Sequence, residues 1–459
     1  MKTGIALPNT YGYNQSDFKK FMRLAWTVLL SFGLMYMFFY NGRQNINLVK
    51  SDLAGFFGYF KEDGSPDTHG ISLITQSLFW SYALGQLVNG RIGSAVGCKR
   101  YMTIGVIVSC ICNVAISFVG ANQEWLFALL WGINGFAQSM VWSNGLEVLN
   151  RWWPKSKRGF SSGLATAFSG VGQVVTYFSV MLSQKLLPVA EGSYEGWRSA
   201  FNLPIVPLVI ALLAFIFLFV ERPEKAGLAP FVEEDQEAAE RDAKLIEEVK
   251  SKGFFYPYKK LFSEPKFIVF CLISAIAGIG RYGLLNWMPT YFKEVHGAGV
   301  NDLFKYIALP LGQACAMFVF PFITDKVFKG KREPMLALAA IATFISLLVF
   351  PFITDAFLMS VMLFVVGVFS MVTGVIWAIA GDIGGRAFAA TVVGTLDCAV
   401  YMGAALQEGV FGNFGKMESI DLGFLTLRGW DLGFITIGVL YLVLLVLTLF
   451  ARKMKLKNL

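Results

Sequence analysis

The 459-residue chain is 55% apolar and only 15% charged, with a net charge of +8, whereas a soluble domain carries about 25% charged residues. This balance excludes an ordinary soluble enzyme or binding module and specifies a polytopic membrane protein. Basic loops meeting anionic headgroups account for the positive charge without a nucleic-acid partner.

The N-terminal stretch MKTGIALPNTYGYNQSDFKK lacks the short apolar region and cleavage site of a secretory signal, so the first membrane helix is expected to direct insertion. That helix is the apolar run 24–49, bounded by Arg23 and Lys50, with Arg43 as its one internal charge. About 20 apolar residues at roughly 1.5 Å rise suffice to cross a bilayer. A lone arginine in such a run costs about 2.5–3.5 kcal/mol on insertion scales, so it belongs in a water-filled cavity or snorkels to the interface. Continuation of the helix through SDLAGFFGYF (51–60) brings Arg43 close to mid-depth.

Further apolar runs at 71–90, 101–120, 125–146, 159–184 and 200–220 complete a first set of six. The polar segment 221–266 contains EEDQEAAERDAKLIEEVKSK, with pairs at helical spacing such as Glu240–Lys244, and reads as a cytoplasmic linker. The second half opens like the first. Its run 267–292 lies between Lys266 and Lys293 and holds Arg281 alone; runs at 303–323, 334–354, 356–381, 387–407 and 432–451 follow. The expected fold is therefore an all-α membrane protein of twelve transmembrane helices. Its organisation is a six-helix half (1–220), a linker (221–266) and a second six-helix half (267–459).

Most of the 39 lysines and arginines fall in loops and tails on the side of the N-terminus. The positive-inside rule then places both termini in the cytoplasm, in a plasma or inner membrane. Two equivalent inner loops stand out, GRIGSAVGCKR with Arg91, Lys99 and Arg100, and TDKVFKGKRE with Asp325 and four cations. They serve either as topology signals alone or as a gate, with Asp325 and Arg91 as its charged members. The six cysteines lie mostly within spans and read as small apolar packing residues. Glu147 and Asp382 near cytoplasmic helix ends are expected to pair with Arg151 and Arg386. Neither His69 nor His296 is inside a span, which argues against a histidine proton relay. No nucleotide-binding, metal-binding or nucleophile motif appears, so no cofactor and no enzymatic activity are implied.

RYGLLNWMPTYFKEV (281–295), TDKVFKGKRE (324–333), RWWPKSKRG (151–159) and GWRSAF (196–201) together resemble the organophosphate:phosphate antiporter family of the major facilitator superfamily. The likeness is greatest to its glycerol-phosphate and hexose-phosphate transporters. It implies that Arg43 and Arg281 bind the phosphate group of the substrate. It also implies cavity positions for Tyr36 and Tyr40 in the first helix, Gln138 and Trp142 in the fourth, and Tyr401 in the eleventh. The chain departs from the pattern at Gln44 and Gln86, where glycerol-phosphate members have lysines, and at Ser169, where they have a histidine. Asp397 stands where the family has a small residue.

The residues themselves suggest the same mechanism. Arginine's planar fork binds phosphate bidentately and stays charged when desolvated. In two-half carriers the site lies near the midplane, and access alternates as one half rocks against the other. The expected function is exchange of an organic phosphate for inorganic phosphate by a monomer whose partners are its small anionic substrate and the bilayer. The alternatives are a proton-coupled transporter of another organic anion, encouraged by Asp397, and a membrane sensor of sugar phosphate. Asp397, if ionised near the arginines, cancels one positive charge; if protonated, it offers a proton to be carried.

Overall fold

The computed structural model describes residues 12–154, 157–190, 192–229, 244, 247–248, 251–297, 303–384, 388–421, 423 and 426–454. The first half contains α1 (Gln15–Phe56), α2 (Ser72–Val96), α3 (Cys98–Ile116), α4 (Glu124–Ser139 continued by Trp142–Trp152), α5 (Arg158–Leu186) and α6 (Glu195–Leu218). The second contains α7 (Pro265–His296), α8 (Leu303–Lys326), α9 (Glu333–Phe352), α10 (Ala356–Gly381), α11 (Ala389–Phe411) and α12 (Gly429–Lys453). Among the described residues nine of these are long and apolar enough to cross a membrane. The other three, α2, α4 and α11, are diluted by buried polar groups including Asn89, Asn134, Asn144, Asp397 and Glu408.

Outward-facing side chains such as Ile111, Phe118, Phe217 and Val446 are more than half exposed. Water would penalise that belt; lipid does not. The halves meet along α2 against α11 and α5 against α8. One apolar cluster fills each half, and a third, with Val49, Phe79, Tyr282 and Val400, joins them.

The face carrying the chain ends is called the terminal face. There the chain stays on the first half beyond 220. Glu221 accepts from the Cys98 N–H (3.1 Å) and pairs with Arg151 (3.1 Å) and Lys225 (2.9 Å). Lys20 donates to the Ala226 carbonyl at 2.7 Å. The first residues of the expected linker, Glu221 to Ala226, are thus packed on the first half, and most of its polar run, Glu240 included, lies outside the described residues. Glu147 pairs with Arg151 as expected; the side chains of Asp382 and Arg386 lie outside the described ones. All six cysteines are free.

On the opposite face four ion pairs cross between the halves among the described residues: Lys50–Glu408, Lys61–Glu294, Lys293–Asp52 and Lys416–Asp67. Lys50 corrects the sequence reading. Rather than flanking the first span at the interface, it is 1% exposed inside a helix that runs on to Phe56.

Candidate substrate-binding site

Arg43 owes its place to a break in α1. The α-helical stretch Gln15–Phe39 passes into a short 3-10 turn, Tyr40–Gly42, and resumes at Ile46. Broken helices survive at membrane depth only where other groups satisfy the freed backbone. Here side-chain amides do so: Asn113 Nδ2 (3.1 Å) and Asn134 Nδ2 (2.7 Å) donate to the Gly42 carbonyl, and Gln138 Nε2 donates to that of Phe39 (3.3 Å). Asn41 and Asn45 reach the Pro204 and Ala200 carbonyls of α6. A side chain at position 42 would crowd this cluster, with a Cβ only 3.0 Å from Gln138 Nε2.

Arg281 sits at the middle of α7, where small neighbours pack the helix closely within its own half. A Cβ on Gly278 would fall 1.9 Å from the Val400 carbonyl oxygen, and one on Gly280 would strike the Tyr441 ring. The small residues let α7 press against α11 and α12.

The two guanidinium groups are bound crosswise. Arg43 Nη1 donates to Tyr401 Oη of the second half at 2.7 Å, while Arg281 Nη2 donates to Tyr40 Oη of the first at 3.3 Å. Tyr40 also lies 3.9 Å beneath the Arg43 guanidinium, so one phenol faces both cations. A desolvated contact of this kind contributes about 2 kcal/mol. Arg43 further reaches Tyr36 Oη (3.4 Å), and Tyr282 Oη donates to Tyr401 Oη (2.9 Å). The Tyr82 ring stacks on Tyr401 at 3.6 Å. Both arginines are nearly inaccessible, 3% and 6% exposed, and the Nε of each has no hydrogen-bond partner among the described residues. Arg43 therefore does not snorkel.

Beside them lies a narrow cavity of about 20 Å³, space for about one water, lined by Tyr36, Tyr40, Tyr82, Trp142, Thr166, Ser169, Arg281, Trp377, Asp397 and Tyr401. Seven of those positions were expected from the sequence. Tyr82, Thr166 and Trp377 were not, because an aromatic or hydroxyl group inside a span looks like packing until its neighbours are known.

Three expected site residues are placed elsewhere. Gln138 braces the α1 break and donates to Ser109 Oγ at 3.0 Å. Gln86 Oε1 accepts from Ser143 Oγ at 3.0 Å, within the first half. Gln44 Oε1 accepts from Asn47, which opens a polar chain that sequence reading missed. Asn47 donates to Asn286 Oδ1 (2.9 Å), Asn286 to Glu408 Oε1 (2.6 Å), and Lys50 to Glu408 Oε2 (2.8 Å). Lys50 Nζ also sits 3.8 Å from the Trp287 ring centroid. Glu408 falls one residue past the expected end of its span, which is why it drew no notice.

Of the two expected gating residues, Arg91 donates to the Phe254 carbonyl and stacks on the Phe254 ring at 4.5 Å. Tyr258 hydrogen-bonds the Leu87 carbonyl beside it. The segment entering the second half thus pins the end of α2. Asp325 lies in the last turn of α8, and its side chain is outside the described ones.

A family model described as Major Facilitator Superfamily matches residues 29–407. The chain is 23% identical over 345 residues to a probable hexose phosphate transport protein of Chlamydia pneumoniae, covering 72% of this chain and 71% of that one. It is 26% identical over 420 residues to a probable sulfoacetate transporter of Cupriavidus necator, covering 89% of each. A solved proton:xylose symporter, 14% identical, shares the fold with a TM-score of 0.72 over 93% of this chain and 95% of that one.

Proposed function

The chain belongs to the major facilitator superfamily, and on that premise we propose that it is a secondary carrier exchanging an organic phosphate for inorganic phosphate by alternating access, with both termini in the cytoplasm. The carrying observation is the pair Arg43 and Arg281, one from each half, both buried and each hydrogen-bonded to a tyrosine of the other half. A tetrahedral oxyanion entering the pocket competes with two phenols for the guanidinium donors and binds them more strongly, since bonds between ionised partners are about twice as strong as neutral ones. Likeness to a hexose phosphate transport protein supports a phosphorylated substrate. Thermal shift with phosphate and phosphate esters, followed by exchange in proteoliposomes, tests the reading. Arg43→Ala and Arg281→Ala are each expected to fold and to lose exchange, and normal uptake by either refutes the clamp.

A second reading is a proton-coupled carrier of another organic anion. Asp397 on the pocket wall favours it, as does likeness to a probable sulfoacetate transporter over 89% of the chain. Transport that needs no counter-anion but follows an imposed pH gradient distinguishes it from exchange.

A further inference from the structure

The pocket has two chemically opposite ends. One end is donor-rich: Arg43 and Arg281 with the tyrosines around them. Toward the terminal face the lining changes. Asp397 precedes Tyr401 by four residues on α11, which puts it on the same helix face one turn nearer the terminal face. Thr166 and Ser169 come from the first half of α5, the part that rises from the same side. Their hydroxyl protons are committed to the helix backbone, Thr166 Oγ1 to the Ser162 carbonyl (2.7 Å) and Ser169 Oγ to the Thr166 carbonyl (2.6 Å). Thr166 therefore turns lone pairs to the pocket, and Ser169 Oγ lies beside the Tyr40 phenol. Asp397 is 4% exposed and makes no hydrogen bond or ion pair among the described residues. Trp142, stacked on Tyr36 at 4.9 Å, and Trp377 add aromatic faces. This end offers acceptors and π-faces, and Arg281 of the other end is the cation lining the same pocket.

Resting on the reading above, we infer that the preferred organic substrate is a small phosphate ester bearing an ammonium group, its phosphate on the arginines and its ammonium on Asp397. An ammonium has three donors and no acceptor, which suits the Asp397 carboxylate and the Thr166 hydroxyl oxygen. Aromatic faces stabilise it further. Charge points the same way, because two guanidinium groups and one carboxylate leave the site at +1. A phosphate dianion with an ammonium brings −1, whereas a sugar phosphate dianion brings −2. Asp397 is thus the specificity-determining residue of the site.

The test is competition against labelled phosphate uptake by the full chain in proteoliposomes, comparing 2-aminoethyl phosphate with propyl phosphate, which has the same length and no charge on its tail. The amine ester is expected to compete about ten-fold or more better. In Asp397→Asn that ratio falls toward one. Equal competition by the two esters in the natural protein overturns the inference and leaves the phosphate carrier standing. An undiminished ratio in Asp397→Asn also overturns it. Failure of phosphate and of both esters to compete overturns the carrier reading along with it. Should the variant not fold, the ratio in the natural protein alone decides.

Discussion

Lys50 and Glu408 meet at 2.8 Å between the two halves, with side chains 1% and 0% exposed. The surrounding partners complete the pair: Asn286 donates to Glu408, Gln407 Nε2 does so at 3.1 Å, and the Trp287 face covers the ammonium. Buried pairs contribute little net stability, but removing one partner costs about 3–5 kcal/mol because the other charge is left uncompensated. Any motion that parts the halves on this face must separate these charges or rehydrate them.

Glu408→Gln is therefore expected to destabilise the arrangement closed on this face. A bifunctional thiol cross-linker bridging Asp52→Cys and Lys293→Cys, whose natural side chains end 3.1 Å apart, reads that closure in a background without other cysteines. Its cross-linking yield should fall several-fold in Glu408→Gln and recover when Lys50→Met is added, since the unpaired charge is then gone. An unchanged yield in the single variant removes the latch role.

Tyr401→Phe and Tyr40→Phe leave the rings in place and remove the hydroxyls that face the arginines. Each deletes a hydrogen bond to a charged group, a contribution of about 1.5–3 kcal/mol. Closure without an anion then leaves guanidinium donors unpaired, so leak of labelled phosphate into anion-free buffer should drop about ten-fold. Exchange against external phosphate should change less. A leak that rises in these variants contradicts the role given to the phenols.

Asn134→Ala strips the Gly42 carbonyl of its 2.7 Å partner, and Gln138→Ala frees that of Phe39. A buried acceptor left short costs about 1–3 kcal/mol. Both variants should melt several degrees lower while the competition profile among anions stays the same, because these amides hold the α1 break and do not line the pocket. A selective change in anion preference for Gln138→Ala returns that residue to the binding surface.

On the terminal face Glu221 shows a competition between opposing effects. Burial raises its carboxyl, but the Lys225 ammonium, the Cys98 N–H and Arg151 outweigh it and hold the group below the ordinary glutamate value. Because the folded value is the lower one, the stabilisation is present at neutral pH and is lost as pH falls through the folded value. The melting temperatures of the natural protein and Glu221→Gln should accordingly differ most near pH 7 and converge in acid. A gap that is constant with pH shows that the carboxylate's charge is not what matters.

The hydrophobic runs and basic loops alone determined the membrane fold and its six-plus-six division, because lipid imposes length and apolarity on each helix regardless of its neighbours. The lone arginines were equally legible: a charge that costs several kcal/mol within a span is conspicuous in any window. Asp397 was conspicuous for the same reason, and it lines the pocket. Which polar groups meet was decided only in three dimensions. Gln44, Gln86 and Gln138 look like cavity residues in sequence, yet Gln86 and Gln138 bond to neighbouring helices and Gln44 to Asn47 one turn on in α1. Lys50 and Glu408 look like span boundaries, yet they pair across the halves from positions 358 residues apart. An amide or an ion at a helix end has several possible partners of similar energy. Helix rotation and the close approach permitted by residues such as Gly278 select among them, and neither is set by the order of residues within one span.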